Sequence, residues 1–299
     1  MRPRGGEVAA EVGGSRRGVL SPPGVSIRVV GRDLRVSAGL SLPRGRVIRS
    51  QEGQGEVAAL WLGETPASRG LWARLRAEHA RTGLWPLLLD SRDHYGEEFR
   101  PWATGEVSPE RMSEPQDHDP AALLASWWRN CTRAGGDAGL LPADERLAMT
   151  APFGRTWPGL APGRAFVADP EEVAAEYGDA ILARRPRVRL GLVPAACGAH
   201  ALATMGWEGP VNHDNDTGKH AAVVHDWERR FGVRVVALGF STLYLSVAAP
   251  PASRDEALHL AAEHFAFCPD RIWQETHPAT LAAYADQLIG ATCWEFWWD

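Results

Sequence analysis

The stretch Trp294-Glu295-Phe296-Trp297-Trp298-Asp299 packs three tryptophans and a phenylalanine into six residues. In an extended strand successive side chains point to opposite faces. That alternation sets Trp294, Phe296 and Trp298 on one face and Glu295, Trp297 and Asp299 on the other. A solvated terminus is polar as a rule, whereas burying one large ring is worth roughly 1.5–3 kcal/mol. The pattern predicts a final strand with its all-aromatic face in a core.

The same reading runs along the rest of the chain. Residues 25–30 (Val25 to Val30), 46–49 and 56–62 have the short apolar rhythm of strands. Pro66 and Ser68 open a helix in which Leu71, Trp72, Leu75 and His79 recur at helical spacing, and Gly83 stops it. Leu84 to Leu89 is apolar throughout and reads as a buried strand, with Pro86 better suited to an edge or a bulge. Residues 90–119 turn acidic, basic and proline-rich, the composition of a long loop or linker. Asp119-Pro120 is an N-cap and first-turn pair, and Leu123, Leu124, Trp127, Trp128 and Cys131 follow along one side of a helix. Residues 135–168 are rich in Gly, Pro and Ala and read as a connector.

Beyond the connector the rhythm tightens. Asp169-Pro170-Glu171-Glu172 starts a helix that turns Val173, Tyr177 and Ile181 inward and ends at Arg184-Arg185, with charges that suit the helix dipole. A strand at 188–193 follows, and then a helix from Thr217 to Phe231 with Val224, Trp227 and Phe231 as its stripe and Gly232 as its stop. Strands at 233–238 and 242–247 precede the capping box Ser253-Arg-Asp-Glu256, which opens a helix carrying Leu258, Ala261 and Phe265. A further helix at 279–289 lines up Leu281, Tyr284, Ala285 and Leu288, and the aromatic strand closes the unit. The expected fold class is α+β. A flexible leader (1–24) precedes a small β-rich α+β module (25–134, with its loop at 90–119), and the connector (135–168) leads to a βαββαβ-like, split-βαβ domain with an added helix (169–299).

Composition narrows the possible partners. Of 299 residues 44% are hydrophobic and 23% charged, which are globular values, and a net charge of −5 argues against a nucleic-acid or anionic-membrane partner. Lys219 is the only lysine, so the positive charge is almost all arginine, as in a GC-rich, bacterial genome. No run reaches the ~18 apolar residues of a membrane span. Cys131, Cys197, Cys268 and Cys293 form no CxxC pair and read as reduced thiols, which places the protein in the cytoplasm.

Four motifs stand in one order: Trp227-Glu-Arg-Arg-Phe-Gly232; Leu243-Tyr-Leu-Ser-Val247 with Pro250-Pro251; Glu256-Ala-Leu258 through Phe267-Cys-Pro-Asp270; and Trp294 to Asp299. Over roughly 187–299 this resembles the bacterial family known as domain of unknown function 4253. The resemblance implies a bacterial, cytosolic protein. It implies no activity and carries over no catalytic residue.

Two places could hold chemistry. One is the polar run Asn212-His213-Asp214-Asn215-Asp216 with Cys197, His200 and His225 nearby in sequence. Cys, His and Asp are all zinc ligands, so Cys197, His200, His213, Asp214 and His225 form a candidate metal set. Read as structure alone, the same run is a turn, with Asp216 or Thr217 capping the following helix. His220 and His225 stand about 140° apart around a helix and do not share an ion. The second place is the polar face of the last strand, where Glu295, Trp297 and Asp299 could rim a groove for an arginine-bearing or aromatic partner. No P-loop, GxSxG, GxGxxG or HExxH motif is present. The expected function is a non-catalytic binding or regulatory module that contacts another protein and needs no cofactor. The alternative is a zinc-dependent hydrolase built near Cys197, His200, His213 and Asp214.

Overall fold

The computed structural model describes residues 42–51, 57–91, 98–133, 147–274 and 280–299. The leader at 1–24, the strand expected at 25–30 and part of the connector lie outside the described residues. The N-terminal strands are β1 (Gly45–Arg49), β2 (Ala58–Pro66) and β3 (Leu84–Leu89), with α1 (Leu71–Ala77) and the short α2 (His79–Thr82) between the last two. After α3 (Pro120–Thr132) come α4 (Pro170–Arg184), β4 (Arg189–Pro194), α5 (Gly198–Thr204) and α6 (Thr217–Phe231). Then follow β5 (Arg234–Leu238), β6 (Thr242–Ser246), α7 (Arg254–Phe267), α8 (Asp270–Trp273), α9 (Leu281–Leu288) and β7 (Cys293–Trp297).

Among the described residues seven strands share one sheet in the order β1-β2-β4-β3-β5-β6-β7. Every neighbouring pair is antiparallel except β3 and β5. The fold is α+β, and the C-terminal elements follow the expected order, but the pairing departs from a split βαβ unit. That unit needs two parallel strands flanking a third. Here β4 and β5 flank β3 and run opposite ways, because β3 is antiparallel to β4 and parallel to β5. The N-terminal strand β3 is therefore seated inside the sheet of the C-terminal stretch.

Leu84–Leu89 is buried along its whole length, as expected, but the strand is central, which corrects the edge or bulge that Pro86 suggested. Pro86 is tolerated because β5 joins β3 only at Leu88 and Leu89, so its missing N–H falls before that ladder begins. The Pro86 carbonyl instead accepts the Trp72 indole N–H at 2.9 Å.

Helices cover both sheet faces. One face packs Ile48, Leu60, Trp85, Leu89, Val235, Leu243 and Phe296 against α3, α5, α6, α7 and α9. The other packs Leu88, Val236 and Tyr244 against Trp72 of α1 and against α4. The inward side of α4 is Ala174, Gly178, Ile181 and Leu182, while Val173 and Tyr177 are half-buried. Small residues at 174 and 178 let the helix settle onto the strands, which turns its stripe by one residue from the one read by size.

Caps fall where the residue types placed them. Asp119 and Asp169 accept from the second N–H of α3 and α4, Asp216 does the same for α6, and Ser253 with Glu256 forms a complete capping box on α7. Gly232 ends α6 at φ 62°, a conformation favoured by glycine. The segment 98–119 has two short 3₁₀ turns but is no solvated linker. Trp102 is fully buried and gives its indole N–H to the Asp90 carbonyl at 2.6 Å.

The terminal strand alternates as expected. Trp294, Phe296 and Trp298 are at most 2% exposed, while Trp297 is 37% exposed. Among the described strands β7 is at the edge of the sheet and pairs with β6, setting Tyr244 opposite Glu295 and Thr242 opposite Trp297.

Candidate functional site

Two separate places emerge. The larger is a cleft of about 680 Å³ at the end of the sheet, where the face covered by α4 runs out over β6 and β7. Its floor is Tyr244, Glu295 and Trp297; its walls come from Asp90 and Ser91 after β3, Arg185 after α4, residues 207–212 after α5, and the β5–β6 turn. Glu295, Trp297 and Asp299 all line it, so the three residues proposed for a groove share one cavity.

The cleft is acidic. Among the described residues, Asp90, Glu106, Glu208, Glu295 and Asp299 line it with one guanidinium, that of Arg185. Arg185 is bound to Asp90 at 2.5 Å and its guanidinium lies 5.3 Å from the Tyr244 ring centroid. Burial lowers the pKa of Arg185, but Tyr244 and Asp90 outweigh it and raise the pKa overall. Glu106 is held in a fork by Arg100 at 2.6 and 2.7 Å. Neither Glu295 nor Asp299 has an ion pair among the described residues. The field of Glu295 reaches Tyr244, whose hydroxyl is pushed up to about 12 by burial and then by Glu295. The rim is held by the backbone: Trp298 N–H donates to Ser241 O at 3.1 Å, and Asn212 Nδ2 donates to Asp299 O at 2.6 Å.

The second place lies between α5 and α6. Cys197 Sγ, His200 and His225 bring ligand atoms within 4.8 Å of one another. Cys197 is the N-cap of α5 but makes no side-chain cap bond. Glu228 of α6 supplies that bond in its place, accepting the Ala199 N–H at 3.0 Å. The Cys197 sulfur is left 3.5 Å from His225 Nδ1, and Glu228 Oε2 lies 3.2 Å from the same nitrogen. A Cβ on Gly198 would meet Trp85 at 2.8 Å and Val235 at 2.9 Å, so glycine lets α5 approach the sheet closely enough to make this arrangement.

The five residues proposed as a metal set do not form one group, and this corrects that reading. His213 packs against Trp127 and His220 at ring-centroid distances of 5.7 and 5.8 Å, and burial lowers its pKa. Asp214 is taken up by Lys219 at 2.9 and 3.1 Å. Asp216 caps α6 and receives the Ser113 hydroxyl at 2.7 Å. Burial raises the pKa of that carboxyl, but the hydrogen bonds from Ser113 and Gly218 outweigh it and hold the group below its ordinary value. The polar run is thus the turn and cap that its residue types also allowed.

Glu228 was missed. It stands three residues after His225, as His200 stands three after Cys197, so the two pairs occupy one face each of α5 and α6. Cys197 on its own is no nucleophile, because burial and then Glu228 push its thiol up to about 12. The His225 pKa is raised, first by its hydrogen bond to Glu228.

Over residues 189–299, from β4 to β7, the chain matches the family model described as Domain of unknown function (DUF4253). The terminal aromatic strand and the α5–α6 cluster both fall inside that match. None of the curated proteins and no solved structure matches the chain. Among the described residues, no helix is long and apolar enough to cross a membrane.

Proposed function

We propose that this is a non-catalytic binding module of the bacterial cytosol, whose acidic cleft takes an arginine-bearing segment of another protein. One observation carries the reading: Glu295, Trp297 and Asp299 meet in a single cleft, with a half-exposed indole between carboxylates that have no ion pair among the described residues. A guanidinium can lie on an indole face while donating to carboxylates at its edge. Of the five lining carboxylates Asp90 is paired with Arg185, Glu106 with Arg100 and Glu208 with Arg111, so Glu295 and Asp299 supply the field that attracts a cation. The rival reading, a metal-dependent hydrolase near Cys197, His200, His213 and Asp214, has less support, since only Cys197 and His200 of those four lie together.

The test is titration calorimetry with a capped Gly/Ser peptide carrying two arginines, beside the same peptide carrying two glutamates. Only the arginine peptide is expected to bind, more weakly as salt is raised. The double variant Glu295→Gln, Asp299→Asn should weaken it about tenfold or more, since charge-assisted hydrogen bonds are each worth about 1.5–3 kcal/mol. Equal binding of the two peptides, or an affinity unmoved by the double variant, would sink the proposal.

A further inference from the structure

We propose that Cys197, His200, His225 and Glu228 hold a divalent transition-metal ion of the zinc class, which ties the start of α5 to α6. Thiolate and imidazole ligands select such ions over magnesium or calcium, which prefer oxygen ligands alone. The spacing of the donors fits. Zinc bonds of about 2.3 Å to sulfur and about 2.0–2.1 Å to nitrogen, at a tetrahedral angle, put the two donors about 3.5 Å apart. Cys197 Sγ and His225 Nδ1 are 3.5 Å apart. For a nitrogen and a carboxylate oxygen the same construction gives about 3.4 Å, and His225 Nδ1 and Glu228 Oε2 are 3.2 Å apart. His200 brings a ring nitrogen within 4.8 Å of ligand atoms of Cys197 and His225, its ring centroid 5.1 Å from that of His225.

The surroundings suit a ligand set. Glu228 gives one oxygen to the ion while its other oxygen keeps the Ala199 N–H at 3.0 Å, which fixes the carboxylate as outer-shell partners do. Entry is open from solvent, since the His225 side chain is 44% exposed. Binding the ion releases the protons of the thiol and of His225 Nδ1, which leave as solvent protons while the metal–ligand bonds form. This site is independent of the cleft: none of its four residues lines that cavity.

The experiment is cobalt(II) titration of the full chain, with metal content of the purified protein measured by mass spectrometry. One equivalent is expected to bind and to produce a thiolate-to-cobalt charge-transfer band. Cys197→Ser should abolish the band, and Glu228→Gln should weaken binding about tenfold or more. His213→Ala should leave both unchanged. If the variants fold poorly, zinc should still shield Cys197 of the wild-type chain from alkylation, with the exposed Cys293 labelled equally with and without metal. No saturable binding by the wild-type chain, a band that survives Cys197→Ser, or alkylation of Cys197 unaffected by zinc would each overturn the proposal.

Discussion

Trp227 and Phe296 lie face to face, ring centroids 5.5 Å apart and planes 16° from parallel. The contact joins α6 to the terminal strand, and Trp294 meets the same indole edge-on at 5.6 Å. His264 of α7 packs on Trp294 and Phe296 at 4.5 and 4.8 Å. The last strand is thus held mainly by aromatic packing from the helices beneath it. Phe296→Ala should cost about 3–5 kcal/mol, whereas Trp297→Ala, one residue on and half-exposed, should stay within about 0.5 kcal/mol. Urea denaturation of the two variants checks this. Equal losses would mean that both faces of β7 are buried.

Glu263 is completely buried, and its charge is met from three sides. Arg230 reaches it at 2.5 and 2.9 Å, Trp227 gives its indole N–H at 2.7 Å, and the Ala161 N–H donates at 2.6 Å. These bonds tie residues around 161, between α3 and α4 in sequence, to α6 and α7. Removing one member of a buried ion pair strands the other charge. Arg230→Ala should therefore cost about 3–5 kcal/mol, well above the cost of Arg254→Ala at an exposed pair on the surface. A loss no larger than that of the surface variant would contradict the assignment.

Stability should fall as pH drops below about 6.5, the ordinary histidine value. His220 and His264 are fully buried. Burial pushes both well below that value, and the nearby Arg271 and Arg230 guanidiniums add to the effect at His264. At neutral pH both are uncharged, folded or unfolded. Below about 6.5 the unfolded chain takes up protons that the folded chain refuses, so the equilibrium shifts toward unfolding. The raised pKa of His225 acts the other way, its contribution being present below 6.5 and lost as pH rises through its folded value. His200 and His213, both lowered by burial, add to His220 and His264 against the one raised, half-buried His225, so the fall dominates. Denaturant midpoints between pH 7 and pH 5 should decline, and less steeply in His220→Phe; a flat or rising profile would contradict this account.

Much of the local structure was legible because it depends on neighbours in sequence. Strand alternation placed the two faces of β7, and the residue types at Asp119, Asp169, Ser253 and Gly232 marked helix ends correctly. Strand pairing is not local, so nothing in the pattern of Leu84 to Leu89 said that this strand sits between β4 and β5. Helix α5 was missed because Gly198 to Thr204 is short and built of small residues, with no stripe of large apolar side chains to reveal its period. Glu228 lay within the Trp227 to Gly232 motif used for the family resemblance, which hid its i,i+3 relation to His225. The cleft was half legible. Alternation put Glu295, Trp297 and Asp299 on one side, but Asp90, Arg185 and Glu208 join them only through the fold.

The most direct test of the cleft as a cation site is the indole N–H spectrum of the ¹⁵N-labelled protein, with Trp297→Phe used to identify the Trp297 signal among the thirteen tryptophans. On addition of the two-arginine peptide, the Trp297 signal should shift in a saturable way while those of the buried Trp85, Trp128 and Trp227 stay in place. Saturable shifts confined to other indoles, with Trp297 unmoved, would show that the cation binds elsewhere and would contradict the account.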